Sequence, residues 1–440
     1  QSCFFFRNFT TIVIISYFAL LLPAEILAPF IIKVLTPGLD GDVNGMTIHL
    51  FRITIPAIGL GLFCKINTGI LNSHKSFLIP SLAPILFNLV MAGCVIISAE
   101  RFGIYAATIG TVLGMFVELI FTSGLRKKYV SFKPVLDFRD GTTISALKMA
   151  APVFVGMSAA ELNLILDKMI ASFFEPGSIS ALNYASKLSS GISTLFIASV
   201  TTVFFPELAG QVANKEQENA AKTYIFSVRI FILLLMPVIV GGVVLSREIM
   251  TLVYGRGAFD SNAVTMTTSV FACYFICLLF TGLRQTGTNF LYSYGDSKAA
   301  MKNTVIGVGI NLVLDIVLSA VMGLQGLALA TTLSVAVISI LLMRTARKKN
   351  TFISYGSCFR LLLKTFFACG VMFLAIWGWK CFWIRGGYYD IGRSKTTVLF
   401  TVSAVLGGAV VYGGMLLLLG AAEARQLFDM VKRKRRRNNR

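Results

Sequence analysis

The feature that most constrains this chain is a series of apolar stretches of about 20 residues, the length that an α-helix needs to cross a bilayer. Apolar residues make up 56% of the 440 residues and charged residues 14%, whereas soluble domains carry about 25% charged residues. A transmembrane β-barrel would instead show short strands of alternating polarity. The sequence therefore predicts an all-α polytopic membrane protein of about twelve spans. The predicted spans are residues 10–35, 47–70, 78–99, 103–124, 147–173, 178–206, 222–252, 262–292, 302–322, 325–343, 359–383 and 397–420.

The net charge of +20 is unevenly divided between the predicted loops. An even number of spans places both chain ends on one side, and the loops of that side carry most of the lysine and arginine, notably at 126–148 and 344–349. By the positive-inside rule we expect both ends of this chain in the cytoplasm. The basic tail follows the last span directly, so we expect it to contact anionic lipid rather than nucleic acid.

The chain repeats itself at an offset of 223 residues, with residues 88–108 aligned to residues 311–331. Internal repeats are typical of transporters whose site lies between two lobes. Ala92 stands where the second copy has Asp315, so the carboxylate belongs to the second lobe alone. The identical pairs include Asn88 with Asn311, Gly103 with Gly326, Thr108 with Thr331 and, upstream, Lys75 with Lys298.

The repeat predicts two pseudo-symmetric lobes followed by a final pair of helices. The second lobe has six predicted helices and the first has four, so we expect two further helices ahead of residue 1. The predicted segments are an N-lobe remnant (1–128), a cytoplasmic basic linker (129–146), a C-lobe (147–346), the final two helices (358–420) and a basic cytoplasmic tail (421–440).

Four polar residues in three predicted spans of the C-lobe can reach one depth. At about 1.5 Å per residue, Asp167, Asp315 and Thr331 each lie about 8–12 Å from the nearer ends of their helices. Asn311 precedes Asp315 by one helical turn and shares its face. Two carboxylates, an amide oxygen and a hydroxyl suit a hard monovalent cation, which predicts a sodium or proton site. The alternative is a hydrogen-bonded cluster that packs helices together.

Lys187 is predicted about 15 Å inside the span 178–206, where a cation is costly unless it has a partner. It pairs either with a carboxylate such as Glu161 or with an anionic substrate. Arg52 also lies inside a span, one or two turns from its end.

The sequence gives no sign of an enzyme. The loops are too short for a soluble catalytic domain, and no nucleophile–base pair is apparent. The eight cysteines form no CxxC pair and the two histidines are far apart, so neither zinc nor haem is indicated.

Four motifs stand out along the chain: "GILNSHKSFLIPSLAPILFNL" (69–89), "GSISALNYASKL" (177–188), "TVFFPELA" (202–209) and "YGRGAFD" (254–260). Together they resemble the MurJ (MviN) family of lipid II flippases, part of the multidrug/oligosaccharidyl-lipid/polysaccharide exporter superfamily. The resemblance implies fourteen helices in the intact protein, of which residues 358–420 are the last two and line a groove for a lipid tail.

The resemblance also implies roles for individual residues. Lys187 falls on the family's essential cavity arginine and Ser180 on a cavity serine, and we add Arg52 and Glu161 as candidate substrate-binding residues. Lysine lacks the bidentate fork with which arginine binds a diphosphate. The residues that fall on the family's sodium ligands are Asp167, Asn311, Asp315, Thr331 and, through its carbonyl, Leu327.

We therefore expect a monomeric flippase in the bacterial inner membrane that carries lipid II outward by ion-coupled alternating access. Its partners would be an undecaprenyl-diphosphate-linked substrate and membrane lipid. We expect no cofactor, with Na⁺ or H⁺ as the candidate coupling ion. Three alternatives remain at this point: a flippase for another undecaprenyl-linked oligosaccharide, a drug or cation exporter of the same superfamily, and a non-transporting membrane scaffold. A cation exporter needs an acidic cavity, which Lys187 disfavours.

Overall fold

The computed structural model describes residues 2–38, 41–74, 76, 78–126, 134–137, 139–388 and 394–420. In these residues every regular element is an α-helix. The predicted basic tail lies outside the described residues. The helices are α1 (Ser2–Ile26), α2 (Ala28–Leu35), α3 (Gly41–Ser73), α4 (Leu78–Phe102), α5 (Ile104–Arg126), α6 (Gly141–Ala171), α7 (Ser178–Ala213), α8 (Gln217–Val244), α9 (Ser246–Tyr254), α10 (Ser261–Ser293), α11 (Ser297–Met322), α12 (Leu324–Lys349), α13 (Gly356–Arg385) and α14 (Ser394–Leu418).

Eleven helices of the described chain are long and apolar enough to cross a membrane, which confirms the all-α polytopic class. The remaining predicted span, 147–173, corresponds to α6. This helix is long enough to cross a membrane, although many of its side chains between 146 and 160 lie outside the description. Two predicted spans are interrupted. The run 10–35 breaks at Leu27, where Pro29 has no amide hydrogen to continue the helical ladder. The run 222–252 breaks at Leu245, and the short α9 follows.

The chain forms two compact units, residues 1–154 and 155–440, and α6 runs through the boundary. In the first unit α3 packs against α5 and α4 against α5. The buried Asn8 of α1 donates to the carbonyl of Asp137 (2.7 Å) and accepts from its amide (2.7 Å). Residues 134–137 of the predicted linker are thus fastened to α1.

The second unit is built around α10, which packs against α7, α8 and α12. Large aromatic side chains fill its core, and the rings of Phe271 and Phe275 lie 4.4 Å apart. A Cβ atom on Gly242 would lie 1.9 Å from the ring of Phe275, so α8 and α10 approach closely only because this residue is glycine. Small residues at helix contacts are usual where no water drives association.

The last two helices belong to the second unit and are fastened to it at two points. The Tyr412 hydroxyl of α14 donates to the Leu233 carbonyl of α8 (2.8 Å). Lys380 Nζ of α13 lies 2.6 Å from the carboxylate of Glu248 on α9, whose side chain is fully buried. A buried pair of this kind holds its partners in place because breaking it leaves an uncompensated charge.

The internal repeat continues into the helix turns with a shift of three residues. Gly103 turns α4 into α5 with φ 53°, and Gly323 turns α11 into α12 with φ 60°. The sequence alignment matched Gly103 to Gly326, which instead lies inside α12. A Cβ atom there would lie 2.1 Å from the Leu318 carbonyl oxygen, so Gly326 permits close contact between α11 and α12.

Gly326→Ala should lower the free energy of unfolding by about 1–3 kcal/mol, because the methyl group meets backbone that cannot move aside without parting α11 from α12. Thermal unfolding of the detergent-solubilised protein measures the effect. Gly309→Ala on α11 is the matched control, since nothing lies within 4 Å of its added Cβ. Equal melting temperatures for the two variants would contradict this account of the contact.

Candidate functional site

Three polar side chains meet in the interior of the second unit. Asp167 of α6 and Asn311 and Asp315 of α11 are 3%, 1% and 0% exposed. Asn311 Nδ2 donates to Asp315 Oδ1 at 3.1 Å, and the Asp315 carboxylate adjoins that of Asp167. Asn311 and Asp315 reach this position because they lie one turn apart on the inner face of α11.

Most side-chain oxygens of this cluster lack a hydrogen-bond donor among the described residues. Both carboxylate oxygens of Asp167, Oδ2 of Asp315 and Oδ1 of Asn311 are buried with no hydrogen-bond partner in the described structure. Adjacent buried carboxylates repel each other, and buried oxygens without donors are costly. A bound cation or a shared proton offsets both terms. Hard oxygen donors of this kind fit a sodium ion, and the described residues contain no group of three or more acidic, histidine or cysteine side chains that would suit a transition metal.

Helix α12 supplies the other two residues that were predicted for the ion. Thr331 donates its hydroxyl hydrogen to the Leu327 carbonyl at 3.1 Å, one turn earlier in the helix. The Thr331 oxygen keeps a free lone pair after this donation, and the carbonyl can accept a second contact. Leu327 is fully buried, whereas Thr331 is partly exposed to a neighbouring cavity.

A cavity of about 650 Å³, lined by both polar and apolar residues, opens beside this cluster within the second unit. Helices α6, α7, α10, α11 and α12 line it with ten serines and threonines, together with Asn163, Asn311 and Gln285. The buried Ser189 hydroxyl and the Asn163 carbonyl oxygen have no hydrogen-bond partner there. Because Asn311 lines the cavity and also donates to Asp315, the cavity adjoins the carboxylate cluster.

Arg284 of α10 is the cation among the cavity-lining residues. It makes no ion pair with a described carboxylate. The cavity therefore offers hydroxyls, amides and one guanidinium, a set that suits sugars and anionic groups better than organic cations.

Lys187 lies on an exposed face of α7, and Ser180 lies on the same face two helical turns earlier. Its ammonium makes no ion pair in the described structure, and Glu161, which is also exposed, does not neutralise it. The pairing alternative for Lys187 is thus not realised here, and the ammonium is available to an anionic ligand.

Arg52 belongs to the first unit. Its Nε lies 4.0 Å from Glu25 Oε2, and both side chains are partly exposed. Such a loose, partly solvated pair contributes little to stability. The structure thus groups Asp167, Asn311 and Asp315. It joins Thr331 to Leu327 on α12, places Lys187 and Ser180 on one face of α7, and leaves Arg52 in the other unit.

Sequence reasoning missed Tyr274 of α10. Its hydroxyl lies beside Thr331 and near both carboxylates, and the residue also lines the cavity. A signal existed in the heptad spacing of Thr267, Tyr274 and Thr281 along an otherwise apolar helix. The packing of α10 against α12, which places these residues opposite Thr331, is not visible in the sequence.

Comparison with known proteins gives a consistent result. A family model described as "Lipid II flippase MurJ" matches residues 1–392. A probable lipid II flippase MurJ of Haemophilus influenzae is 27% identical over 383 residues, 84% of this chain and 74% of the relative. One from Rickettsia prowazekii is 25% identical over 423 residues, 93% of this chain and 80% of the relative.

Solved structures match the fold. A lipid II flippase MurJ in an inward closed conformation superposes with a TM-score of 0.75, covering 94% of this chain and 84% of that chain at 22% identity. An inward-facing multidrug resistance MATE transporter of the MOP superfamily matches with a TM-score of 0.65, 80% of this chain, 82% of that chain and 14% identity.

Proposed function

This chain belongs to the MurJ family of lipid II flippases, and we propose that it carries lipid II from the cytoplasmic to the outer leaflet of the bacterial inner membrane. It is a multi-pass membrane protein and a transporter. The observation that carries the proposal is the family match over residues 1–392. Two features support it, because lipid II joins a diphosphate to sugars: the exposed Lys187, which makes no ion pair with a described residue, and the cavity of the second unit with its serines and threonines.

Different residues would bind the diphosphate, the head group and the tail of the lipid. Lys187 attracts the diphosphate through its ammonium, and Ser180 offers a hydroxyl on the same face of α7. Sugars and peptide need many weak hydrogen bonds, which the serines and threonines of the cavity can supply. The undecaprenyl tail remains in lipid along α13 and α14, whose surfaces carry exposed apolar side chains such as Phe366, Leu374 and Leu406.

Ion coupling is the second part of the proposal. Asp167, Asn311, Asp315, Thr331 and the Leu327 carbonyl would hold sodium, which supplies the positive charge that the two carboxylates require. Because two of these residues line the cavity, ion binding and head-group binding can bias the same arrangement of helices. A ligand shifts an equilibrium only through such differential contacts. A proton shared by the carboxylates is the alternative coupling ion.

The membrane arrangement follows from charge. The positive-inside rule supports cytoplasmic placement of both ends of this chain, with the tail 421–440 near anionic lipid. We propose a monomer, because two lobes of one chain provide the alternating-access unit. A drug exporter of the superfamily is disfavoured by Lys187 and Arg284, which repel organic cations.

Depletion of the full-length protein should leave lipid II on the cytoplasmic leaflet. Labelling of lipid II at the outer face of spheroplasts measures this, in a strain without a second flippase. Labelling that stays at its normal level after depletion would exclude the proposed function.

Lys187→Ala should abolish complementation, because the variant lacks the ammonium that attracts the diphosphate. Lys187→Arg should preserve complementation, since it keeps the charge and adds a bidentate fork. Lys222→Ala is the matched control, because Lys222 is an exposed lysine paired with Glu218 at 2.6 Å. Full activity of Lys187→Ala at equal membrane abundance would reject the role of this lysine in substrate binding.

Sodium should raise the melting temperature of the wild-type protein relative to equal concentrations of potassium. At a concentration 100 times the dissociation constant the stabilisation is about 2.7 kcal/mol. Asp315→Asn should weaken the shift, whereas Asp296→Asn, at the exposed N-terminus of α11, should retain it. A wild-type protein equally stable in both salts would rule out a sodium site and leave the proton or the packing cluster.

A further inference from the structure

The N-terminal half of α7 carries a row of exposed residues that differ in chemistry. Ser180, Tyr184 and Lys187 follow one another at intervals of four and three residues, so they share one face over two helical turns. Tyr184 is 39% exposed, although a tyrosine in the middle of a helix bundle could be buried. A hydroxyl, an aromatic ring and a cation are therefore presented side by side.

Two aromatic rings from another part of the unit hold Tyr184 in place. The ring of Tyr254, at the end of α9, lies 4.8 Å from that of Tyr184, and its hydroxyl donates to the Tyr184 carbonyl at 3.5 Å. Phe259, in the loop before α10, meets the Tyr184 ring edge to face at 5.5 Å. The exposed ring is thus braced rather than free to rotate, and such preorganisation reduces the entropy lost on binding.

The surroundings of Tyr184 differ from the lipid-facing surfaces of this unit. On α11 the exposed face is formed by Val313, Ile316, Val317 and Val321. No polar side chain interrupts that row at successive turns, as lipid tails require. A cation one turn from Tyr184 and a serine one turn before it mark instead a surface for a polar, anionic ligand.

We propose that Tyr184 is a stacking platform for the sugar next to the diphosphate of the lipid-linked substrate. This inference rests on the proposed function and names a sugar contact within the same substrate site. An aromatic ring packs against the C–H face of a pyranose, while an adjacent cation attracts the phosphate. Tyr184 and Lys187 are about 4.5 Å apart along the helix axis, close to the width of one sugar ring. Because the first sugar is bonded directly to the diphosphate, both contacts can form at once.

The test compares two lipids that differ in their sugars. Affinities of the full-length protein for lipid II and for undecaprenyl diphosphate are measured in detergent by native mass spectrometry. Tyr184→Leu should weaken lipid II binding by about three- to tenfold and leave undecaprenyl diphosphate binding unchanged. Tyr184→Phe should bind both lipids as the wild type does, because the ring remains. Lys187→Ala should weaken both.

Tyr292→Leu is the matched control, since Tyr292 is an exposed tyrosine of α10 (49%) in the same unit. It should change neither affinity. Unchanged lipid II binding by Tyr184→Leu, or an equal loss for both lipids, would overturn the platform. Equal binding of the two lipids by the wild type would also overturn the Tyr184 proposal and would leave the flippase proposal standing. Binding of neither lipid by the wild type would overturn both proposals.

Discussion

Two carboxylates lie side by side inside an apolar helix bundle, and their burial and mutual repulsion must be offset by the groups around them. Asp167 and Asp315 come from helices distant in sequence, and both are withdrawn from water. Their repulsion would push α6 and α11 apart unless positive charge enters between them. Asn311, Thr331 and Tyr274 surround this place with further polar groups, and the adjoining cavity gives an ion a route to it. The first repeat has Ala92 in place of Asp315, so the matching position there has no carboxylate that requires a positive charge.

The sequence was sufficient for the class of fold and for the polar cluster. Apolar runs of bilayer length predicted the helices. Their breaks at Leu27 and Leu245 were missed because apolar residues resume within a few positions of each break. Asn311 and Asp315 could be paired from helical spacing alone. Their meeting with Asp167 could be anticipated from matching depths, since helices that span one bilayer bring equal depths together.

Other parts of the site depend on helix rotation and on contacts between distant segments, which spacing does not encode. Tyr274 faces Thr331 only because α10 packs closely on α12. Glu161 and Lys187 were a reasonable ion pair by depth, yet both are exposed and form no ion pair with each other in the described structure. The braced ring of Tyr184 needs Tyr254 and Phe259, which lie about 70 residues further along the chain. The part that Gly326 plays in the contact between α11 and α12 emerges only from the backbone distance.

The buried pair of Lys380 and Glu248 has a mechanical consequence. It joins α13 to α9, while Tyr412 joins α14 to α8, so the final two helices cannot slide along the second unit without exposing a charge and releasing a carbonyl. When the second unit moves, α13 and α14 therefore move with it as one body. A hydrocarbon chain lying along these two helices would move together with its head group. The lipid would then cross as a whole, without being stretched between a moving head-group site and stationary helices.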